Sequence, residues 1–471
     1  MKRVEGKKVA LLGFGIENIS VAKFLLKHKI DFQILDKAPS EKLTGDGQEL
    51  IKSKDLKVKT GDDYMFGLGK FDLIIRSPGI PYLTAEIQAA KSSGSEITSS
   101  TKLFLDWCPA EVIGVTGTNG KGTTASLIFE ILKKSQKSRS KADPPLAEKV
   151  KSQKSQVYLV GNIGTASFDI IEKVEPDDLV VFELSSFQIQ DLDRSPDVTV
   201  VVNLTDDHLD YHQTLEEYRA TKQTVLKNQN KNNSAVLNKD YPECYKLKRF
   251  GEAKKYFFSS KEKAKGAYVT DGGDVILTID GEEKICSQDE IKLLGRHNLE
   301  NIAAAAIVGK IFNIPIEEIH QTVINFQGLE HRLEFVREID GIKFYNDSFS
   351  TNPTPTIAAI NSFREPITII LGGSKKGADF QKLAKKIKAS TVKNVILIGI
   401  EGRRIRKILE KENIEAKIID GSKDIKEIVR KAYEVATGSG VVLFSPACAS
   451  FDMFENYKDR GEKFKNAVMA L

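Results

Sequence analysis

An α/β protein of three domains is the fold class that this sequence predicts, and three observations predict it. At 471 residues the chain is too long for one ordinary domain, and at roughly 150 residues per domain it makes about three. Short β-rich apolar runs alternate with helical patterns, the rhythm of parallel sheets covered by helices. Junctions at Cys108-Pro109 and near Gly328 divide it into residues 1–108, 109–328 and 329–471. The expected units are a Rossmann-like first domain, a central sheet carrying a P-loop-type turn, and a Rossmann-like third domain.

The first unit is read from "VALLG", "FQILD" and "FDLIIRSPG", with an amphipathic helix from Ile16 to His28 after the first run. Its basic start leads into an apolar run of only a strand's length and then Gly13-Phe14-Gly15, so a strand is expected there and not an export signal. "WCPAEVIGVTG" begins the second unit, and "VYLVG", "DLVVFELSS" and "DVTVVVNLT" have the composition of strands buried on both faces. "HNLENIAAAAIVGKIF" reads as a helix. In the third unit Asp340-Gly341 lies between two β-patterned runs, a hairpin signal. "ITIILGG", "NVILIG", "AKIID" and "VVLFSPA" then alternate with helices. No short fixed repeat is present.

Composition excludes several classes. Apolar residues at 41% and charged residues at 29% are those of a globular protein. No run of 18 apolar residues exists to span a membrane. Four scattered cysteines, Cys108, Cys244, Cys286 and Cys448, show no paired spacing and suit a reducing cytoplasm. The net charge of +5 arises between Lys133 and Lys154, where eight basic residues face only Asp143 and Glu148. With Pro144-Pro145 and no apolar period, this insertion, residues 134–155, is expected to be a solvated loop and not a nucleic-acid-binding arm.

The chemistry starts at "GVTGTNGKGTTAS", Gly114 to Ser126. A P-loop reads G-x-x-x-x-G-K-[ST]; here Val115 takes the first glycine slot and Gly122 the hydroxyl slot after Lys121. The context is still strand, glycine-rich turn, lysine, helix. Backbone N–H groups and the helix N-terminus converge there on an anion, with Lys121 as a point charge. Thr123 can offer the hydroxyl that Gly122 lacks. Glu183, in "VVFELSSFQ", ends an apolar strand, where a buried carboxylate is costly unless a metal or partner relieves it. Asp207 and His208 follow the strand "VTVVVNL", at the end where open α/β sheets place ligands. After a capping-box pattern at Thr214 and Glu217, Leu215, Tyr218, Lys222 and Val225 share one helical face. Lys222 therefore interrupts an apolar stripe. It either snorkels past its neighbours or, with basicity lowered by burial, is a neutral amine able to take up carbon dioxide as a carbamate, a carboxylate-like metal ligand.

"TGTNGK", "ELSSFQ", "DHLDYH" and "YRATK" together resemble the Mur ligase family, the ATP-dependent amide-forming enzymes of peptidoglycan precursor synthesis. "NDSFSTNP", "LGGSKKGADF" and "SPACASFDMFENYKDRG" resemble its D-glutamate-adding branch, and the likeness runs in order along nearly the whole chain outside the basic insertion. It implies a three-domain ligase, expected as a cytoplasmic monomer, taking UDP-N-acetylmuramoyl-L-alanine, D-glutamate and ATP and passing through an acyl phosphate. ATP would meet Gly117, Thr118, Asn119, Gly120, Lys121, Gly122, Thr123, Asn298, Asn301 and Arg332. Two magnesium ions would be held by Thr123, Glu183, His208 and carbamylated Lys222, with Asp207 orienting His208. The UDP substrate would meet Ile16, Glu17, Asp36, Lys37, Ser77, Asn162, Ser185 and His208. D-Glutamate would meet Thr351, Lys376, Ser450 and Tyr457.

Some positions depart from the family pattern. Phe349 stands where a lysine is usual, Gly122 where many members carry Ser or Thr, Tyr457 in place of phenylalanine, and Glu17 near expected diphosphate contacts. Other classes explain less. A folylpolyglutamate synthetase shares "TGTNGKG" but needs no hundred-residue unit before it. A NAD-dependent oxidoreductase would account for "GFG" alone, and Asn18 occupies its third glycine position. A non-catalytic nucleotide switch leaves Lys222 and "SPACASFDMF" unexplained.

Overall fold

The structure is a computed structural model that describes residues 3–43, 45–139, 155–204, 215–375 and 377–471; of 135–139 and 215–219 only the backbone is described. Asp207, His208, Thr214, Lys376 and most of the basic insertion therefore lie outside the described residues, as does the side chain of Glu217.

The first sheet has strands β1 (Val9–Leu12), β2 (Phe32–Asp36), β3 (Val58–Thr60), β4 (Leu73–Arg76) and β5 (Glu96–Ser99), all parallel in the order β3-β2-β1-β4-β5. Alternation along a strand sends successive side chains to opposite faces. Val9 and Leu11 enter one core, with Phe24, Leu103 and Phe104, while Ala10 and Leu12 enter another, with Ile74 and Ile87.

The second sheet is built on β6 (Glu111–Thr116), β7 (Val157–Gly161), β8 (Leu179–Glu183) and β9 (Val198–Val201). It continues through β10 (Ser234–Asn238), β11 (Lys254–Ser259), β12 (Gly266–Val269), β13 (Val275–Leu277) and β14 (Glu283–Cys286). The order is β14-β13-β12-β11-β10-β9-β6-β8-β7, parallel except across β12, β13 and β14. The core under β1 runs on to Phe168, Phe182 and Val201 of this second layer. Phe104 and Phe182 meet edge to face at 5.5 Å between centroids, and truncating either costs about 3–5 kcal/mol. The first two sheets accordingly fall in one compact unit, Met1–Glu290 with Leu299–Ile324.

The second unit, Ile291–Asn298 with Asn325–Leu471, holds the third sheet. Its strands are β15 (Glu334–Ile339), β16 (Ile342–Asn346), β17 (Ile367–Gly372), β18 (Val392–Ile398), β19 (Lys417–Asp420) and β20 (Val441–Phe444), in the order β15-β16-β20-β17-β18-β19. β15 and β16 form the expected hairpin, with Asp340 at φ 49° and Gly341 at φ 80° in its turn. Val441 and Leu443 face one core, Val442 and Phe444 the other.

The helix after the glycine-rich turn spans Lys121–Arg139 and so runs past residue 134, where a loop was expected. Lys, Gln and Arg are good helix formers, and no proline interrupts them before Pro144. Helix 16–27 matches expectation to within a residue.

Candidate active site

In the first unit, the glycine-rich turn leaves β6 and enters the helix Lys121–Arg139 at its first residue. Gly120 has φ 80°, and a Cβ there would lie 2.5 Å from Asn301 Oδ1 and 3.1 Å from Val202 Cγ1. Asn301 is buried and accepts a hydrogen bond from Thr124 Oγ1 at 3.2 Å. Asn203, at the end of β9, shapes the turn from the other side: its Oδ1 accepts from Thr118 N (3.1 Å) and Asn119 N (2.8 Å), and its Nδ2 donates to Asn119 O (3.0 Å). Lys121 Nζ donates to Thr118 O at 2.9 Å. The turn is thus a rigid cradle at a helix N-terminus, the shape that suits a phosphate.

Beside it lie Glu183, at the end of β8 and 4% exposed, and Lys222, 1% exposed. Lys222 Nζ donates to Thr116 Oγ1 at 2.8 Å, and Thr116 Oγ1 donates to Leu184 O at 2.8 Å. Burial holds the Lys222 amine well below the ordinary ammonium range; Lys121 pushes it further down and Glu183 opposes. Lys222 is therefore enclosed and not a snorkelling lysine. A buried carboxylate beside a phosphate cradle offers oxygen donors that fit a hard divalent cation.

A second group gathers at the ends of β1, β4, β7 and β8. Gly13 has φ 80°, and a Cβ on it would lie 2.8 Å from Ser77 Cβ. Asp36 accepts from Phe14 N (2.6 Å) and Ala38 N (2.8 Å), shaping the first glycine loop from its own strand end. Ile16 is 73% exposed; Lys37 is exposed and 3.8 Å from Asp62. Asn18 is buried, with Nδ2 donating to Gly13 O at 2.7 Å and Ile75 O at 3.1 Å. Glu17 does not project from the loop: Ser100 Oγ donates to its Oε2 (2.7 Å) and Gln188 Nε2 to its Oε1 (3.1 Å). Burial raises its carboxyl above the usual range against the pull of those two donors. Asn162 and Ser185 meet through Gln188.

In the second unit the loops after β16, β17 and β20 converge. Ser374 N donates to Ala449 O at 2.9 Å. The buried Arg460 ties two of the loops, donating to Ser348 Oγ (3.0 Å), Ser348 O (2.7 Å) and Cys448 O (2.9 Å). Thr351 is half-buried, Ser450 is buried, and Tyr457 begins the helix Tyr457–Met469. Phe349 carries the Arg332 guanidinium 3.7 Å above its ring and meets Tyr457 edge to face at 5.0 Å. An aromatic platform thus stands where the resemblance would place a lysine. Asp347 is enclosed, and burial pushes its carboxyl up to about 6 despite hydrogen bonds from Ser350, Ser445 and Leu333 N. Asn298 Nδ2 donates to Leu294 O at 2.8 Å.

Thr116, Gln188, Asn203, Asp347 and Arg460 escaped the sequence reading. Each acts on a partner distant in sequence; Gln188 also carries a local signal, the Ser185-x-x-Gln188 spacing of a capping box, and Asp347 and Arg460 lie inside quoted motifs without a role that the motif alone reveals.

Three α/β sheets, a phosphate cradle flanked by a buried carboxylate and a buried lysine, and a separate unit of convergent polar loops define a nucleotide-dependent group-transfer protein. The models for the Mur ligase MurD-like N-terminal domain, the Mur ligase middle domain and the Mur ligase glutamate ligase domain match residues 7–99, 115–309 and 331–448. The UDP-N-acetylmuramoylalanine–D-glutamate ligases of Clostridium acetobutylicum and Acetivibrio thermocellus are 36% and 37% identical, each alignment covering 100% of this chain and 98% of the relative. Among solved structures, UDP-N-acetylmuramate-alanine ligase MurC from Thermotoga maritima aligns over 98% of this chain and 99% of its own at a TM-score of 0.59 and 16% identity. MurF from Acinetobacter baumannii aligns over 98% and 90% at 0.58 and 13%. The chain belongs to the Mur ligase family.

Proposed function

We propose that this chain is the ATP-dependent ligase that joins D-glutamate to UDP-N-acetylmuramoyl-L-alanine in peptidoglycan precursor synthesis. The observation that carries this reading is the full-length likeness, through all three sheets, to curated D-glutamate ligases. A reducing cytoplasm suits its four free, buried cysteines.

The turn Gly117–Thr123 and Lys121 hold the triphosphate, and the helix N-terminus and ammonium balance its charge. The alanyl carboxylate attacks the γ-phosphorus, ADP leaves, and an acyl phosphate forms. The D-glutamate amine then attacks the acyl carbon, loses a proton, and inorganic phosphate departs. Thr123, Glu183, His208 and carbamylated Lys222 would hold two magnesium ions, which supply neutralisation of phosphate and carboxylate charge. Asp207 would orient His208. Thr116 Oγ1, which accepts from Lys222 Nζ, fixes where a carbamate on that nitrogen would stand. Asn298, Asn301 and Arg332 complete the ATP contacts, and the Phe349 ring presents Arg332 as a flat fork. Ile16, Asp36, Lys37, Ser77, Asn162 and Ser185 receive the UDP substrate. Lys376, Thr351, Ser450 and Tyr457 hold the two carboxylates of D-glutamate by charge and hydroxyl donation.

ADP release by the purified protein tests this. Sustained release over many turnovers is expected only with UDP-N-acetylmuramoyl-L-alanine and D-glutamate together; sustained turnover with L-alanine or a diamino acid instead would reassign the branch. Without D-glutamate, hydroxylamine should trap the acyl phosphate. Failure to trap it at saturating ATP and UDP substrate would overturn the order of steps.

A further inference from the structure

Glu17 stands where the diphosphate of the UDP substrate is expected, a place where a free carboxylate would repel it. Its oxygens are turned instead to Ser100 Oγ and Gln188 Nε2. An ionised carboxylate only accepts hydrogen bonds, whereas a glutamine amide both donates and accepts and can present itself in two orientations. Glu17 therefore holds one end of Gln188 while the backbone N–H of Ser185, its capping-box partner, holds the other: nitrogen toward Glu17, oxygen toward the opposite side.

That oxygen has three donors. Ser185 N reaches it at 2.8 Å, Ser185 Oγ at 3.0 Å and Asn162 Nδ2 at 3.4 Å. A reversed amide would set Gln188 Nε2 against all of them and its oxygen against the Glu17 carboxylate. Gln188 is 1% exposed, so water cannot readily stand in for a lost partner. Gln188 belongs to the helix Ser186–Ile189, which a second substrate loop also grips: Arg76, which precedes Ser77, donates to Phe187 O at 3.3 Å.

We propose that Glu17 is a positioning residue that acts through Gln188, setting Ser185 and Asn162 to receive the sugar-peptide end of the UDP substrate, and does not itself meet the diphosphate. This rests on the proposed ligase reading, which supplies the substrate. It also accounts for an acidic side chain beside a phosphate site.

Calorimetric titration of the full chain with two ligands, UDP alone and UDP-N-acetylmuramoyl-L-alanine, tests it. Glu17→Ala should weaken the complete substrate about tenfold, as the loss of one oriented buried hydrogen bond implies, and leave UDP binding within about twofold of wild type. Glu17→Gln can still accept from Gln188 and meet Ser100, and should bind both ligands almost as wild type does. Gln188→Ala should match Glu17→Ala, and the double variant should be no weaker than either single, because the two side chains act as one unit. In turnover, the KM for the UDP substrate should rise in Glu17→Ala while that for D-glutamate stays unchanged. Equal weakening of UDP and the complete substrate would show direct diphosphate contact and overturn the proposal, as would additive losses or unaltered binding in Glu17→Ala. Should Glu17→Ala not fold, Gln188→Ala with the same two ligands carries the test, and unaltered binding of the complete substrate overturns it. Wild-type protein that binds neither ligand would instead sink the ligase reading itself.

Discussion

Two loops of the first unit are built alike and equipped differently. Each leaves the end of a central parallel strand, turns through glycine at positive φ (Gly13 in the first, Gly117 and Gly120 in the second) and feeds a helix N-terminus: Gly13–Glu17 after β1, Gly117–Lys121 after β6. The first is backed by carboxylates, Asp36 on Phe14 N and Glu17 on Ser100 and Gln188, and no lysine opens its helix. The second is backed by amides, Asn203 and Asn301, and carries Lys121 with Lys222 and Glu183 alongside. The glycines make a cradle in both cases. On the proposed ligase reading, what stands behind the cradle decides whether an anion is merely seated or its phosphoryl group is transferred.

The largest expected effect removes what the second loop has and the first lacks. Lys121→Ala should lower kcat on the order of 10³-fold while leaving the thermal midpoint and UDP binding unchanged. Retention of a tenth of the activity would erase the functional difference between the loops. Lys222→Ala should cost on the order of 10²-fold, with partial recovery on adding short carboxylic acids that stand in for the carbamate. Native Lys222 should carry the extra mass of one carbon dioxide; absence of both the recovery and the added mass would remove the carbamate.

Glycine substitutions separate the loops by ligand. In Gly120→Ala the new methyl meets the fixed Asn301 Oδ1 at 2.5 Å with φ at 80°; the KM for ATP should rise about 30-fold, from a strain of roughly 2 kcal/mol. In Gly13→Ala it meets Ser77 Cβ at 2.8 Å and the more yielding Ile80 Cδ1 at 3.0 Å. There the KM for the UDP substrate should rise about tenfold and that for ATP should not move. Steady-state kinetics that showed both constants shifting in both variants would mean the two cradles are one mechanical unit.

How much of this was legible follows from where the signal resides. The long apolar strands, the Asp340-Gly341 turn, the loop lysine and Lys222 in its apolar stripe are local patterns, and local physics marks them. β3 and β5, with "VKT" and "EITS", were missed because short polar strands carry little alternation. β10 to β14 are only three to six residues long, too short for a period to stand out from the sequence around them. Among site residues, Asn203 reaches Asn119 across 84 positions, Lys222 reaches Thr116 across 106, and Gln188 reaches Glu17 across 171. The fold alone creates such pairings, so the supporting amides and hydroxyls stayed invisible while the groups they support did not.

Asn18 gives the smallest effect on turnover and the sharpest reading of why the first loop is not a dinucleotide site. It occupies the third glycine position of that fingerprint, where glycine lets helix and strand approach closely. Here its buried Nδ2 holds the loop by Gly13 O and the neighbouring strand end by Ile75 O, while its Oδ1 is enclosed without a hydrogen bond. Asn18→Gly removes two or more buried hydrogen bonds and places glycine inside a helix. The expected loss is about 2–3 kcal/mol of stability, moderated by release of the unsatisfied oxygen. The KM for the UDP substrate should change less than about threefold, because Asn18 lies beneath the loop and not on its ligand side. NAD should remain unbound, since restoring a glycine supplies no residues to receive the nicotinamide half of a dinucleotide. Denaturant melts and NAD titration decide it: acquired NAD binding would mean that Asn18 alone separates the first loop from a dinucleotide cradle.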